Sequence, residues 1–227
     1  LKILDPNEKH EVRYCIPLWL RDEQIKLALD RTDKRIQRFD GVRPEPIAVV
    51  CFGPSLNQTW EKIKDFKYVI SCSGSHKFLM DRGISPTWHA EVDPRAHKVK
   101  LIGPPCQTTH YLIASTCHTE VFDHLKECDV SLWHVFDAEA DAYRMLPHGE
   151  WAILGGSSVG LRAMALARFL GFTDLHVFGM DGCEGETGKH AAEHPNQPKD
   201  HALLTYNGVE YRTTTSMYVC AKQPFHE

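Results

Sequence analysis

Apolar residues occur along this chain in short continuous runs rather than in strict alternation with polar ones. The first run is IAVV at residues 47–50, and similar runs recur at intervals up to residue 178. Continuous apolar runs are typical of strands that a sheet buries on both faces. The segments that predict strands are IAVVCF, KYVISCS, TWHAEVD, THYLIAST, VSLWHVF, WAILGG and DLHVFGMDG.

Amphipathic segments separate these predicted strands. They are LNQTWEKIKDF, SHKFLMDRG, HTEVFDHLKE and SSVGLRAMALARFLGF. Strands that alternate with helices predict an α/β fold of Rossmann-like type, with a mostly parallel sheet and helices on both faces. The charged stretch LRDEQIKLALDRTDKRIQRF comes before the first strand and predicts one or two surface helices. We therefore expect a helical N-terminal extension over residues 1–46 and a Rossmann-like domain over residues 47–227.

The C-terminal part carries a weaker pattern. LTYNGVEYRTTT predicts a hairpin that turns on Asn207 and Gly208, because Asn-Gly is the preferred pair for a two-residue turn. The remainder of this region is expected to be irregular.

Composition and charge narrow the classes of partner and compartment. The formal net charge is −4 and the charges are interspersed, so nucleic acid is not an expected partner. No apolar run approaches the roughly 20 residues that span a bilayer, and no signal peptide is recognisable, although the chain begins at Leu1 rather than Met. The eight cysteines include no CxxC pair, which favours reduced thiols and a cytoplasmic location.

Small residues follow the first two predicted strands. Gly53, Pro54 and Ser55 come after IAVVCF, and Ser73 comes after the second strand. Parallel sheets bind ligands beyond the carboxyl ends of their strands, where the strand order reverses. These four residues are therefore candidates for contacts with a nucleotide's phosphates. The alternative is an ordinary tight turn, for which glycine and proline are equally suited.

A second candidate anion site precedes the longest helix. Gly156, Ser157 and Ser158 lead into VGLRAMALARFLGF, and free amides at a helix start attract phosphate. An ordinary capped helix explains the same residues. The chain has neither GxxxxGK[ST] nor GxGxxG after a strand, which disfavours ordinary P-loop and dinucleotide sites.

Two carboxylates and one histidine complete the set of candidates. Asp93 and Asp181 directly follow apolar strands, where a carboxylate holds a ribose hydroxyl or Mg²⁺ or simply caps a turn. His190 lies in a polar loop and suits a proton acceptor. His190 and His194 also have the spacing of a zinc pair, but Pro195 argues against the helix that such a pair needs.

The order of these motifs resembles that of one family. GPSL, then VDP, then GGSSVGLRAMALARFLGF with DLHVFGMDG and a later histidine, is similar to the archaeal-type 6-hydroxymethylpterin diphosphokinases. Motility-accessory glycosyltransferases that modify flagellin share the domain, and CMP-sugar sialyltransferases share a looser version. The resemblance covers about residues 47–190.

The resemblance implies a Rossmann-like transferase that handles a nucleotide's phosphates. By position, Gly53 and its neighbours would line the phosphate loop, and residues 156–158 would form the second anion site. Asp93 would lie at the nucleotide or at Mg²⁺. Asp181 and His190 would face the acceptor.

The expected reaction is ATP-dependent diphosphate transfer to an alcohol, with Mg²⁺ as cofactor. The alternatives are a glycosyltransferase that uses a nucleotide-activated sugar and a non-catalytic nucleotide-binding module. The expected partners are a nucleotide and a small-molecule or glycan acceptor. Phe52 stands where sialyltransferases usually carry Asn, which disfavours a CMP-sugar donor.

Overall fold

In the part of the chain that the structure describes, seven strands form the main sheet and three more form a small one. The structure is a computed structural model and describes residues 2–5, 14–136, 145–186, 188–192 and 201–222. The strands are β1 (Lys2–Ile3), β2 (Ile47–Val50), β3 (Tyr68–Cys72), β4 (Trp88–Glu91), β5 (His110–Ala114), β6 (Asp129–Val135), β7 (Ala152–Ile153), β8 (Leu175–Phe178), β9 (Ala202–Tyr206) and β10 (Val209–Thr213). The helices are α1 (Leu18–Leu29), α2 (Leu56–Thr59), α3 (Ser75–Met80), α4 (Lys98–Ile102), α5 (Thr119–His124), α6 (Val159–Phe169) and α7 (Thr215–Lys222), with a 3₁₀ helix at Trp60–Asp65.

The main sheet is parallel throughout, with the strand order β7-β6-β5-β4-β3-β2-β8. Within the main sheet, the first strand along the chain is β2, and each later strand up to β7 is added next to the one before it. The chain then returns and places β8 on the other side of β2. The strand order therefore reverses between β2 and β8. The predicted Rossmann-like α/β fold is confirmed.

Side chains of β2 show why its sequence is a continuous apolar run. Ile47 and Val49 enter the hydrophobic cluster that α6 covers, whereas Ala48 and Val50 enter the cluster that α2 and α3 cover. All four residues are fully buried. A strand between two layers of helices has no solvent-facing side, so no polar alternation appears.

The segment before β2 packs on the main sheet. The charged stretch forms one helix, α1, and residues 30–46 continue in a non-helical conformation. Ile36 is buried in the core, and its N–H donates to the carbonyl of Leu132 in β6 at 2.9 Å. The proposed division into residues 1–46 and 47–227 stays a prediction.

The C-terminal residues have more regular structure than the sequence predicts. The hairpin turns on Asn207 and Gly208, which have φ angles of 50° and 75°, as the Asn-Gly prediction requires. β1 adds to β9 as a parallel strand, and the helix α7 follows β10. Within the described part of the chain, every helix is too short or too polar to span a bilayer.

Candidate functional site

The candidate site lies at the carboxyl edge of the main sheet, between β2 and β8. These adjacent strands mark the point where the strand order reverses, which is the position that ligands occupy in open parallel sheets. Residues 53–56 follow β2 and residues 179–182 follow β8. The two loops are joined directly, because the N–H of Gly53 donates to the carbonyl of Gly179 at 2.7 Å.

Position 53 requires glycine because neighbouring atoms lie where a side chain would begin, and not because of an unusual backbone angle. A Cβ at this position would lie 2.1 Å from Oδ2 of Asp181 and 2.5 Å from the carbonyl oxygen of Gly179. Oδ2 of Asp181 also accepts a hydrogen bond from the N–H of Ser55 at 3.2 Å. The GPSL loop and the Asp181 carboxylate thus form one unit. The Asp181 carboxylate is suited to accept hydrogen bonds from hydroxyl groups of a ligand. It is less suited to lie beside a phosphate, because two negative charges repel each other.

The GGSS turn lies at the same edge of the sheet. Ser158 begins α6 as its N-cap, where Oγ accepts from the N–H of Leu161 at 3.3 Å. In the first turn of α6, a Cβ at Gly160 would lie 2.7 Å from Sγ of Cys51 and 2.8 Å from Cε of Met180. The start of α6 therefore sits against the ends of β2 and β8.

Within the GGSS turn, Gly156 has a positive φ of 65°, which glycine adopts readily. Ser157 is exposed, and its Oγ lies 3.2 Å from Sγ of Cys220 in α7. This places the predicted second anion site within reach of the C-terminal helix.

His190 packs against the residue that precedes the GPSL loop. Its imidazole stacks on the ring of Phe52, with centroids 5.6 Å apart and an interplanar angle of 17°. The segment is fixed by the N–H of Ala191, which donates to the carbonyl of Phe52 at 3.0 Å, and by Nδ2 of Asn57, which donates to the carbonyl of Ala191 at 2.8 Å. His190 therefore lies beside β2 and not out in solvent.

The pKa of His190 is lowered below its usual value of 6.5. Burial is the main cause, and a hydrogen bond with the Phe52 backbone acts in the opposite direction. The positive charges of Lys98 and Lys189 lower it further. A neutral imidazole is consequently the dominant form at pH 7, which is the form that accepts a proton.

Asp93 lies in a charged cluster after β4. Its Oδ1 accepts from Nε of Arg95 at 2.8 Å, and its Oδ2 lies 2.5 Å from NH2 of Arg95 and 3.3 Å from Nζ of Lys98. Burial opposes ionisation, but the Arg95 hydrogen bonds and the Lys98 charge lower the pKa of Asp93 to about 2. Both carboxylate oxygens are already paired with cations.

Ser73, the predicted phosphate contact after β3, belongs to the same cluster. It has a positive φ of 53°, which is uncommon for a residue other than glycine. Its Oγ accepts a hydrogen bond from Nζ of Lys98 at 3.0 Å. Ser73 thus helps to hold the buried lysine.

Glu91 is a member of the cluster that sequence patterns missed. Its side chain is fully buried, and Oε1 accepts from the N–H groups of Val92 at 2.9 Å and Asp93 at 3.1 Å. Oε2 has no hydrogen bond and lies 3.9 Å from Nζ of Lys98. Burial raises the pKa of Glu91, and the Lys98 charge opposes that effect. The one sequence feature that could have indicated it is an acidic residue at the end of the otherwise uncharged strand β4, whose sequence is WHAE.

Among the described residues, no three His, Cys, Asp or Glu side chains come together as metal ligands. His194, the partner in the zinc alternative, lies outside the described residues. No disulfide joins any of the eight cysteines.

Comparison with known proteins identifies the family. The family model for 6-hydroxymethylpterin diphosphokinase MptE-like proteins matches residues 24–187. The chain belongs to the MptE-like family. The match covers the GPSL loop, Asp93, the GGSS turn and Asp181, whereas His190 lies three residues beyond it. It begins inside α1 and so includes part of the predicted N-terminal extension. Membership of the MptE-like family supports a transferase.

Solved structures show what this MptE-like fold resembles. The MAf glycosyltransferase from Magnetospirillum magneticum AMB-1 matches with a TM-score of 0.63 and 21% identity, covering 88% of this chain and 33% of that chain. The chain thus spans about a third of that glycosyltransferase, and the likeness concerns the fold alone. A mammalian sialyltransferase matches with a TM-score of 0.45 and 14% identity, over 77% of this chain and 69% of that one. No curated protein sequence matches the chain.

Proposed function

We propose that the protein is a nucleotide-dependent transferase that moves the β,γ-diphosphate of ATP to an alcohol. The alcohol oxygen bonds to the β-phosphorus, the bond between that phosphorus and the α-phosphate oxygen breaks, and AMP leaves. The observation that carries the proposal is the meeting of three predicted elements at the strand-order reversal. The GPSL loop and Asp181 are in contact there, and the first turn of α6 packs against the ends of the same two strands. The family description supports the diphosphokinase class.

In this proposal the phosphates bind at the GGSS turn rather than over the GPSL loop. The start of α6 offers backbone amides and the positive end of the helix dipole. The N–H of Ser55 is already bound by Asp181, and the carboxylate would repel a phosphate placed there. Without a metal, Asp181 would instead accept hydrogen bonds from hydroxyl groups of the ribose or of the acceptor alcohol.

Magnesium fits Asp181 better than Asp93. Mg²⁺ at nucleotide sites is commonly held by one or two carboxylates together with the substrate's phosphates. The oxygens of Asp93 are occupied by Arg95 and Lys98, whereas in the described part of the chain no Lys, Arg or His forms an ion pair with Asp181. When bound, the metal would neutralise charge on the transferred group. We therefore move the proposed metal contact from Asp93 to Asp181.

His190 is the proposed proton acceptor. Its imidazole is neutral at pH 7 and held against Phe52 at the same edge of the sheet. Proton removal from an acceptor hydroxyl by a positioned base typically contributes 10²–10⁴-fold to the rate, and diphosphate transfer needs less than this because its transition state is loose. Alignment of the acceptor oxygen with the phosphorus, and charge stabilisation by the amides of the GGSS turn, would supply further acceleration.

Glycosyl transfer from a nucleotide-activated sugar is the second candidate. It is favoured by His190, because a desolvated neutral base suits direct attack of a hydroxyl on a sugar carbon. Diphosphate transfer passes through a loose transition state and depends less on a base. His190→Ala should therefore lower glycosyl transfer strongly and diphosphate transfer modestly.

A thermal-shift series with ATP, CMP and CMP-sugars, each with and without Mg²⁺, tests the proposal. A ligand at about 100 times its Kd stabilises the protein by about 2.7 kcal/mol. A shift with ATP that requires Mg²⁺ supports diphosphate transfer, and a metal-independent shift with CMP supports glycosyl transfer. Binding without turnover of any acceptor indicates a non-catalytic module.

The matched variants are Asp181→Asn and Asp174→Asn. Asp174 is exposed and lies at the amino end of β8, away from the site. The ligand-induced shift should fall in Asp181→Asn and persist in Asp174→Asn. An absence of any nucleotide-induced shift in the wild-type protein would contradict the proposal.

A further inference from the structure

The C-terminal cap, defined here as β9, β10 and α7 over residues 202–222, has a hydrophobic cluster of its own. The buried members of this cluster are Ala202 and Tyr218 of the cap together with Leu4, which follows β1. Leu204 is partly buried beside them. This cluster is distinct from the two that sandwich the main sheet. Two sets of contacts between described residues join the cap to the two loops of the candidate site.

One set of contacts joins the cap to the loop that contains Asp181. Oγ1 of Thr213 donates to the carbonyl of Gly182 at 2.7 Å, and the N–H of Glu184 donates to the carbonyl of Arg212 at 2.7 Å. A Cβ at Gly182 would lie 3.6 Å from Cβ of Ala221. The last turn of α7 thus packs directly against the residue that follows Asp181.

The second contact joins the cap to the GGSS turn. Sγ of Cys220 lies 3.2 Å from Oγ of Ser157, the exposed serine of the proposed phosphate site. Cys220 and Ala221 are neighbours in α7, so this one turn of helix touches both loops of the site. Cys220 is only partly buried, so its thiol is a candidate for reaction with a small alkylating agent.

We infer that α7 forms the outer wall of the nucleotide site and that Cys220 contacts the bound nucleotide. The inference rests on the proposed function and adds a residue outside the family match. Cys220 and Ala221 are small and weakly polar, so they suit the sugar or base of a nucleotide, while the amides of the GGSS turn suit its phosphates.

Protection of Cys220 from alkylation tests the inference. The wild-type protein is treated with iodoacetamide with and without ATP–Mg²⁺ or CMP, at concentrations fixed by the thermal-shift series, and each cysteine is quantified by mass spectrometry. At 100 times the Kd about 1% of sites are empty, so alkylation of Cys220 should slow by up to about 100-fold. Cys106 and Cys128 precede β5 and β6 at the opposite edge of the sheet, and their rates should not change.

Lys222→Cys supplies the matched control on the same helix. Residue 222 lies about 200° around α7 from Cys220 and contacts Tyr218 on the side away from Ser157. Its thiol should be alkylated at the same rate with and without nucleotide.

The outcomes separate this inference from the proposed function. A nucleotide-induced melting shift without protection of Cys220 overturns the inference and leaves the proposed function standing. Equal protection of Cys220, Cys106 and the Lys222→Cys thiol indicates general stabilisation and also overturns it. A protein that binds neither nucleotide contradicts the proposed function, and the inference then falls with it.

Discussion

Asp93→Asn tests whether the charged cluster after β4 stabilises the fold. The substitution keeps the size of the side chain but removes the charge that pairs with Arg95 and Lys98. The Asp93 side chain is 14% exposed, so solvent screens these pairs only weakly. We expect a clear loss of stability, whether or not Asp93 also contacts a ligand.

The magnitude follows from the lowered pKa of Asp93. Its pKa falls from 3.8 to about 2 in the folded protein. At about 1.4 kcal/mol per pKa unit, the ionised carboxylate contributes about 2–3 kcal/mol at pH 7. For a chain of this size that corresponds to a decrease in Tm of about 5–10 °C.

The pH dependence has a definite sign. Because the folded-state pKa is lowered, the contribution is fully present above about pH 5 and is lost progressively as pH falls towards 2. About half of it should remain at pH 3. The stability difference between the wild-type protein and Asp93→Asn should therefore narrow between pH 5 and pH 3.

Urea denaturation at pH 7, 5 and 3 measures this difference. Asp81→Asn is the control, because Asp81 forms an exposed pair with Lys77 on α3 and should contribute less than about 1 kcal/mol. If Asp93→Asn were as stable as Asp81→Asn at pH 7, the assignment of Asp93 to a stabilising cluster would be refuted. A difference that stays constant with pH would refute its electrostatic origin.

Three further predictions concern the same edge of the sheet. Gly53→Ala should lower the free energy of unfolding by about 1–3 kcal/mol and weaken nucleotide binding, because the new Cβ would clash with Asp181 and with the carbonyl oxygen of Gly179. Urea denaturation should show a smaller loss in an Asp181→Ala background, where one of the two clashes is absent. Lys98→Met should lower the free energy of unfolding by about 3–5 kcal/mol at pH 7, because it leaves the buried Glu91 carboxylate without its cation. In urea denaturation this loss should become smaller at acidic pH, where Glu91 is protonated. The imidazole of His190 should titrate below pH 6.5 by NMR, and a value at or above 6.5 would contradict its burial.

The sheet could be predicted from sequence because each strand carries its own signal. Burial on both faces makes β2 a continuous apolar run, and positive φ angles at Asn207 and Gly208 require the residue types that mark the hairpin. By contrast, β1 has two residues and pairs with β9 about 200 positions later, so no local pattern identifies it. The helix α4 was not predicted because its five residues are too few to show a helical pattern of apolar positions.

The candidate site was predictable only where it follows strand ends. The GPSL loop, the GGSS turn and Asp181 could be placed at one edge because parallel strands bring their carboxyl ends together. The pairing of Glu91 with Lys98 depends on how α4 folds back on β4, and no motif records it. The contact between Ser157 and Cys220 joins residues 63 positions apart and depends on where α7 packs.

The proposed function requires that a nucleotide bind between β2 and β8 at the carboxyl edge of the main sheet. Amide chemical-shift mapping of the ¹⁵N-labelled protein during titration with ATP–Mg²⁺ and, separately, with CMP tests it most directly. For this binding site we predict saturable shifts concentrated in residues 53–56, 156–158 and 179–182, with amides at the amino edge of β5 and β6 unchanged. Saturable shifts centred on that amino edge, or no saturable shifts with either nucleotide, would contradict it.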